Sequence, residues 1–154
     1  MNFEFDAYDH KIIALLQDNA RLSYAELGRH IHLTSPAVTE RVRRLEEAGV
    51  ITGYRAKVNL RKLGYSFEAF VQVIVESHEA LDEWANTHVE VLANHATTGN
   101  HCALLRLAIK TPEHLQELLK SLGELGKTST SIVLTSQCEE RARLHVDEVY
   151  IDTE

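Results

Sequence analysis

The chain has few cysteines and lacks the long apolar runs that are typical of secreted or membrane-spanning proteins. Among its 154 residues there are only two cysteines, Cys102 and Cys138, too far apart to form a CxxC pair and therefore expected to be reduced thiols. The first residues are acidic and precede no apolar core, so we expect no secretory signal. No apolar run approaches the length of a membrane span. These absences predict a cytoplasmic protein without a membrane partner.

Motifs for catalysis are missing as well. The sequence contains no nucleophile–base pair, no paired carboxylates and no phosphate-binding glycine loop. His88, His95, His101 and Cys102 fall in one segment, and imidazole with thiolate suits zinc or copper. Their spacing fits no compact ligand pattern, however, and a redox role for Cys102 has little support, because a low thiol pKa cannot be judged from sequence. We therefore expect no enzyme activity, no cofactor and no metal.

Residues 23–45 are the most informative part of the chain, because they predict two short helices joined by a tight turn. Ser23 and Glu26 have the spacing of a capping box at the start of the first helix. Gly28 allows the next helix to approach closely, after a turn at residues 32–34. This pattern is typical of a helix-turn-helix, whose second helix enters the DNA major groove.

The second helix combines an apolar stripe with a basic outer face. We expect Ser35 to cap it and Pro36 to occupy its first position, where a missing N–H costs nothing. Its buried stripe is expected to consist of Val38, Val42 and Leu45. Arg41 borders this stripe, so we expect its stem to pack and its guanidinium to reach outward. The helical residues expected to contact DNA are Ser35, Pro36, Ala37, Thr39, Glu40, Arg43 and Arg44.

The hydrogen-bonding capacity of each side chain suggests its role at DNA. Ser35 and Thr39 are expected to bond phosphates or base edges, and Ala37 to contact a thymine methyl. Arg43 suits guanine as a bidentate donor, and Glu40 suits the amino group of cytosine. The alternative is that these charges form only the solvated face of an ordinary amphipathic helix.

The ten residues after this helix are expected to form the wing of a winged helix. The stretch Val50–Asn59 has the composition of a short hairpin, from which Arg55 and Lys57 can reach phosphates, as Arg44 can from the helix. A connecting ribbon with solvated charges is the alternative interpretation of the same residues.

Charge is distributed unevenly along the chain. The whole chain carries a net charge of −7, which argues against a nonspecific binder of polyanions. Residues 21–62 nevertheless hold nine basic and four acidic side chains, whereas residues 63–154 hold six and fifteen. The positive charge therefore coincides with the predicted DNA-binding segment, which favours double-stranded DNA as the partner.

After a hinge at Leu60–Gly64 the pattern changes to alternating strands and helices. The order β-α-β-β-α-β is that of a ferredoxin-like unit, and the whole chain is then an α+β protein of two domains, 1–62 and 63–154. The expected elements are a strand Phe67–Val75, a helix Leu81–Leu92, a strand at His95–Thr98, a turn at Gly99–Asn100, a strand Cys102–Ile109, a helix opened by Thr111 and Pro112, and a strand Thr130–Ser136. The charged tail from Gln137 to Glu154 either adds an edge element to a neighbour or frays.

The strands of this second domain are apolar on both faces. Phe70, Ile74, Leu104 and Val133 alternate with other apolar residues that face the helices. Two helices cover only one face of such a sheet, and an apolar second face must be buried by something. We therefore expect a homodimer formed through this domain.

Taken in order, these residues closely resemble the Lrp/AsnC, or feast/famine, family of prokaryotic transcriptional regulators. The resemblance runs from about residue 5 to residue 136. It rests on Phe5-Asp6, Asp9, Ile12-Ile13, Leu16-Gln17, Arg21-Leu22-Ser23, Glu26-Leu27-Gly28, Leu33, Ser35-Pro36, Arg41-Val42, Leu45-Glu46, Gly49-Val50-Ile51, Gly53-Tyr54, Leu63-Gly64, Gly99, Leu104-Leu105 and Thr130–Leu134.

The resemblance implies an N-terminal winged helix-turn-helix and a C-terminal ferredoxin-like domain, called RAM, that dimerises and commonly assembles into octamers. It further implies that amino acids or related metabolites bind between RAM domains. The family's Gly-Asp-aromatic-Asp turn in this cleft is here Gly99, Asn100, His101 and Cys102, so both acidic positions are lost. Thr135 and Ser136 match the pocket region of the last strand and offer hydroxyls.

Two other functions stay open at this point. The altered Gly99–Cys102 turn favours an architectural DNA-binding protein that responds to no effector. Siroheme decarboxylases resemble the same two-domain plan and carry histidines near the equivalent turn, as His95 and His101 do here. The arginine, tyrosine and tryptophan expected around those histidines are absent, which argues against an enzyme of that kind.

Overall fold

The computed structural model describes residues 5–136. In that range the chain divides into two compact units, one ending at Lys57 and the other beginning at Val58. The predicted division into domains 1–62 and 63–154 stays a prediction, because the predicted tail lies outside the described residues. None of the helices described is long and apolar enough to cross a membrane.

The N-terminal unit is built from three helices, α1 (Ala7–Asp18), α2 (Tyr24–Ile31) and α3 (Ser35–Glu47). Capping boxes start α1 and α2. The Asp6 side chain accepts from the Asp9 N–H, and the Ser23 side chain accepts from the Glu26 N–H while the Glu26 carboxylate accepts from the Ser23 N–H. The apolar faces of the three helices meet in a core of Ile12, Leu16, Leu27, Ile31, Val38, Val42 and Leu45. The two helices predicted from residues 23–45 are therefore confirmed as α2 and α3, and so is the buried stripe of α3.

The turn between α2 and α3 depends on the small size of Gly28. A Cβ at this position would lie 2.4 Å from the carbonyl oxygen of Leu33, well inside van der Waals contact. The Gly28 carbonyl accepts the Leu33 N–H at 2.9 Å, and His32 adopts a left-handed φ of 58° to close the turn. Close approach at this glycine is confirmed.

The start of α3 differs from the prediction by one residue. Thr34, not Ser35, is the N-cap, because its backbone is extended and its carbonyl already accepts the Val38 N–H at 3.0 Å. Ser35 and Pro36 are consequently the first two helical residues, and no side chain caps the helix. Its end was predicted correctly: Gly49, at φ 70°, follows the helix and lets the Val50 N–H bond back to the Leu45 carbonyl.

Arg41 does not extend to solvent as expected. Its Nη1 lies 2.7 Å from a carboxylate oxygen of Asp6 and 2.7 Å from one of Asp9, and its guanidinium sits 5.1 Å from the centre of the Tyr8 ring. The Asp9 side chain is only 3% exposed, so its charge requires a partner inside the protein. This requirement turns Arg41 inward and ties α3 to α1.

The predicted wing hairpin is not formed. Residues 52–59 belong to no strand, and a single 3₁₀ turn, Leu60–Leu63, follows them. The Tyr54 hydroxyl donates to Glu46 at 2.8 Å, so the segment is held against α3 by a side chain rather than by a strand partner. These residues therefore match the alternative interpretation, a connecting segment without a hairpin.

The C-terminal unit has the predicted order of strands and helices. Its elements are β1 (Phe67–Val75), α4 (His78–Thr87), β2 (Val91–Ala96), β3 (Ala103–Ile109), α5 (Pro112–Gly123) and β4 (Gly126–Ile132). The four strands form one antiparallel sheet in the order β2-β3-β1-β4, with both helices packed on one face. The α+β, ferredoxin-like architecture is confirmed.

Three elements of this unit, α4, β2 and β4, have different bounds from those predicted. Helix α4 begins at His78, where the Ser77 side chain caps it, and ends at Thr87 because the backbone of His88 is extended. The next strand therefore starts at Val91, inside the predicted helix. Strand β4 begins at Gly126 and ends at Ile132, which leaves residues 133–136 outside regular structure.

We expect the replacement Arg41→Met to destabilise the N-terminal unit by about 3 kcal/mol, because it leaves the buried Asp9 carboxylate without a counter-charge. Chemical denaturation followed by circular dichroism measures this loss. Arg21→Met, at an exposed position of the same unit, is the matched control and should change stability by no more than about 0.5 kcal/mol. Equal effects of the two variants would contradict the role given to Arg41.

The same cluster should make the unit sensitive to acid. Burial alone would raise the pKa of Asp6, but the Asp9 N–H and Arg41 hold that pKa below its usual 3.8. A carboxyl whose folded-state pKa is lowered stabilises the protein above its unfolded pKa, and this contribution is lost as the pH falls through the folded value.

Candidate nucleic-acid interface and effector region

The exposed face of α3 carries most of the residues predicted to contact DNA. Ala37 is half-buried, and the other six are exposed: Ser35, Pro36, Thr39, Glu40, Arg43 and Arg44. Their common face is opposite the stripe that packs on α1 and α2. The helix is thus held rigidly by its apolar side while its polar side stays open to a partner.

The hydroxyl of Thr39 is already engaged within the helix. Its Oγ1 donates to the carbonyl of Ser35 at 2.9 Å, so its hydrogen is occupied while its lone pairs remain free to accept. In this state Thr39 can accept from a base amino group but cannot donate to a phosphate.

Arg43 is held by two carboxylates of its own helix. Its Nε and Nη2 donate to the two oxygens of Glu40 at 3.0 and 2.5 Å, and its Nη1 donates to Glu47. These bonds raise the pKa of Arg43, and the bond from Arg43 lowers the pKa of Glu40. The guanidinium is therefore firmly charged and oriented, although all three side chains remain more than half exposed.

Arg55 and Lys57 are exposed on the segment that follows α3. That segment is anchored by Tyr54, whose hydroxyl donates to Glu46; burial, followed by this bond, raises the pKa of Tyr54 to about 12. The phenol therefore stays protonated and keeps donating at neutral pH. The two cations can reach phosphates from an anchored segment without a hairpin.

Sequence reasoning missed Glu47 and Tyr54 as members of this surface. The i, i+4 spacing of Arg43 and Glu47 was a usable signal, because side chains four apart lie on one side of a helix. Tyr54 gave no comparable signal, since its bond to Glu46 depends on the path of an irregular segment.

In the second unit, Gly99, Asn100, His101 and Cys102 lie together in the loop between β2 and β3. Thr97 closes this loop: its N–H donates to the Cys102 carbonyl at 3.0 Å and its hydroxyl to the His101 carbonyl at 2.8 Å. Gly99 has a φ of 103°, which favours glycine over other residues. The loop is thus ordered by its own hydrogen bonds.

Cys102 is turned toward the backbone of β1. Its Sγ accepts from the Val75 N–H at 3.2 Å and lies 3.4 Å from the Val73 carbonyl oxygen, which also accepts the Cys102 N–H. The thiol therefore supports the junction of the loop with the sheet. In the described part of the chain, no three His, Cys, Asp or Glu side chains are grouped to hold a metal ion.

The other two predicted effector residues, Thr135 and Ser136, lie toward the opposite end of the sheet. Ala103, directly after the β2–β3 loop, pairs with Val73 near the end of β1, whereas Ile132, the last residue of β4, pairs with Ala69 near its beginning. Thr135 and Ser136 follow Ile132 and are exposed. A single chain therefore brings four of the six predicted residues together and leaves two apart.

Two family models match the chain in the same order as its two units. Residues 5–52 match a model described as a winged helix-turn-helix DNA-binding domain. Residues 68–143 match a model described as the Lrp/AsnC ligand binding domain.

Similar proteins and structures agree with these matches. An uncharacterised HTH-type transcriptional regulator of Bacillus subtilis, YezC, is 35% identical over 131 residues, covering 85% of this chain and 94% of its own. The structure of B. subtilis LrpC superposes with a TM-score of 0.86 at 28% identity, covering 90% of this chain and all of that one.

A feast or famine regulatory protein from M. tuberculosis, solved in complex with L-methionine, superposes with a TM-score of 0.84 at 25% identity. It covers 91% of this chain and 99% of its own. With both units matched in order by the same group of regulators, the chain belongs to the Lrp/AsnC family of DNA-binding transcriptional regulators.

Proposed function

We propose that this protein is a sequence-specific regulator that reads DNA with α3 and responds to an amino acid or a related metabolite. The observation that carries the proposal is the charged, oriented guanidinium of Arg43 on the open face of a helix whose other face is fixed in a core. An oriented fork of N–H donors is what a guanine edge requires for bidentate recognition.

The remaining contacts follow from this orientation of α3. The N-terminal turn of the helix, with Ser35, offers backbone N–H groups to a phosphate. Arg44, Arg55 and Lys57 are exposed around the same surface and act as positioning contacts to the DNA backbone. Because the similar regulators come from bacteria, where DNA lies in the cytoplasm, we propose a cytoplasmic location.

We further propose that the protein dimerises through the sheet face that its helices leave open. Phe70 and Ile74 on this face are 38% and 43% exposed, beside the half-buried Leu104. A second copy would remove these apolar side chains from water, which stabilises association. Two-fold symmetry then favours a pseudo-palindromic site with half-sites about one helical turn apart, and further assembly toward an octamer would bend or wrap DNA.

An effector site would need residues from more than one copy of the chain. Gly99–Cys102 and Thr135–Ser136 lie near opposite ends of one sheet, so only neighbouring copies can bring them together. Asn100 and His101 can donate to a carboxylate, whereas the turn has no acidic side chain for an ammonium group. We therefore propose a ligand recognised chiefly through its carboxylate.

The altered turn also supports a second candidate, an architectural DNA-binding protein without an effector. Such a protein would bind DNA with little sequence preference and would not respond to amino acids. A siroheme decarboxylase is disfavoured, because the similar proteins described above are named as regulators.

Arg43→Ala should weaken binding about tenfold to a hundredfold at one base pair and relax the preference there. Arg55→Ala should instead weaken binding to all sequences alike. It should also reduce the slope of the logarithm of the binding constant against the logarithm of the salt concentration by about 0.9. Fluorescence anisotropy with duplexes selected from a random library by the wild-type protein measures both. If Arg43→Ala instead weakens binding to all sequences equally, Arg43 contacts the DNA backbone and not a base.

Phe70→Lys should convert the dimer to a monomer, because two copies would each bury an unpaired ammonium group. Analytical ultracentrifugation gives the mass of each species. Val89→Lys is the matched control, since Val89 is 81% exposed and lies between α4 and β2, off the open sheet face. Wild-type protein that sediments as a monomer would contradict the proposed interface.

A thermal-shift screen against the common amino acids should identify the effector. A ligand at a hundred times its dissociation constant adds about 2.7 kcal/mol of stability, which raises the midpoint by several degrees. His101→Ala should remove the shift if this loop binds the carboxylate. The absence of any shift for the wild type would favour the architectural protein.

A further inference from the structure

The two carboxylates that hold Arg43 bind different edges of its guanidinium. We propose that they act in opposite directions on DNA binding: Glu40 is a positioning residue that stays with Arg43 in the complex, and Glu47 is an intrahelical competitor whose carboxylate opposes a base at Nη1. This inference rests on the proposed reading of DNA by α3.

Glu40 occupies the side edge of the guanidinium. Its two oxygens accept from Nε and Nη2 at 3.0 and 2.5 Å, which is the paired, planar arrangement of a bidentate arginine–carboxylate contact. This contact uses both donors of one edge and leaves the end edge, formed by Nη1 and the second hydrogen of Nη2, directed away from Glu40.

Glu47 accepts from Nη1, one of the two nitrogens that form that end edge. A guanine base accepts two parallel N–H bonds at O6 and N7, so an arginine whose side edge is taken must present its end edge to the base. Nη1 has a second N–H, but a Glu47 carboxylate on Nη1 stands beside the guanine acceptor that approaches the same nitrogen, and the two acceptors repel each other. The Glu47 contact therefore opposes the base contact, whereas the Glu40 contact lies on the other edge.

The displacement of Glu47 is energetically accessible. The Arg43 and Glu47 side chains are 53% and 60% exposed, and exposed ion pairs contribute little to stability. Breaking the pair therefore lowers affinity without preventing binding. Loss of the Glu40 contact, in contrast, would free the guanidinium to rotate and would weaken the directed base contact.

This assignment changes the role first given to Glu40. Both carboxylate oxygens of Glu40 are engaged by Arg43, so in this assignment its role is to orient that guanidinium rather than to read a cytosine. Replacing it should then affect the base pair that Arg43 reads rather than a separate one.

The test compares Glu40→Gln and Glu47→Gln, each alone and combined with Arg43→Ala, in the full-length protein. The probes are a duplex selected from a random library by the wild type and its single-base variants, at two salt concentrations. Asp18→Asn is the matched control: it removes one exposed negative charge from the same unit, on α1 rather than on α3. Unchanged thermal midpoints of these exposed variants ensure that binding is compared between folded proteins.

We expect Glu47→Gln to tighten binding about two- to fivefold, and this gain to disappear in the Arg43→Ala background. Glu40→Gln should weaken binding and lower discrimination at the base pair that Arg43→Ala affects. Asp18→Asn should give a smaller gain that Arg43→Ala does not remove.

Three results would overturn the inference. A gain from Glu47→Gln that persists without Arg43 would show plain repulsion of phosphates, and no gain at all would show that the pair does not compete with DNA. An effect of Glu40→Gln at a different base pair would show that Glu40 itself contacts that base pair. If the wild type enriches no duplex, the proposed DNA-binding function fails, and the inference with it.

Discussion

Asp9 is the only polar or charged side chain fully buried in the part of the chain that the structure describes, and the N-terminal unit is arranged around its neutralisation. Removing a carboxylate from water is costly unless a cation and hydrogen bonds replace the lost hydration. Arg41 supplies both from α3, while Asp6 shares the same guanidinium and caps α1. One charge requirement thus connects the first helix to α3, which presents the proposed DNA-binding face.

Three arginines within four positions of α3 have different surroundings because of their angular positions on the helix. Arg41 lies beside the apolar stripe and is drawn inward by Asp9, so it serves the fold. Arg43 lies on the exposed face, where residues three before and four after it are glutamates. Arg44 is exposed on the same side and carries charge toward the DNA backbone in the proposed function. The chemical type alone does not distinguish a structural arginine from one that can read DNA.

In the second unit, the sheet register separates residues that the sequence placed in one pocket. The β2–β3 loop and the residues after β4 lie toward opposite ends of β1, because antiparallel neighbours run in opposite directions. If an effector contacts both, the binding site exists only in an assembly. Ligand binding and assembly are then linked, since a ligand that binds only the assembled form stabilises it.

The sequence by itself determined the helices of the helix-turn-helix, the buried stripe of the second of them, and the order of strands and helices in the second unit. A capping box, helical periodicity and β-branched runs are local signals, and they were sufficient for α2, α5, β1 and the α+β class. The tertiary structure alone decided the cap at Thr34, the end of α4 at Thr87, the missing hairpin after Ile51 and the inward turn of Arg41. Each of these depends on a partner supplied by the folded backbone or by a distant residue, and local periodicity carries no information about such partners.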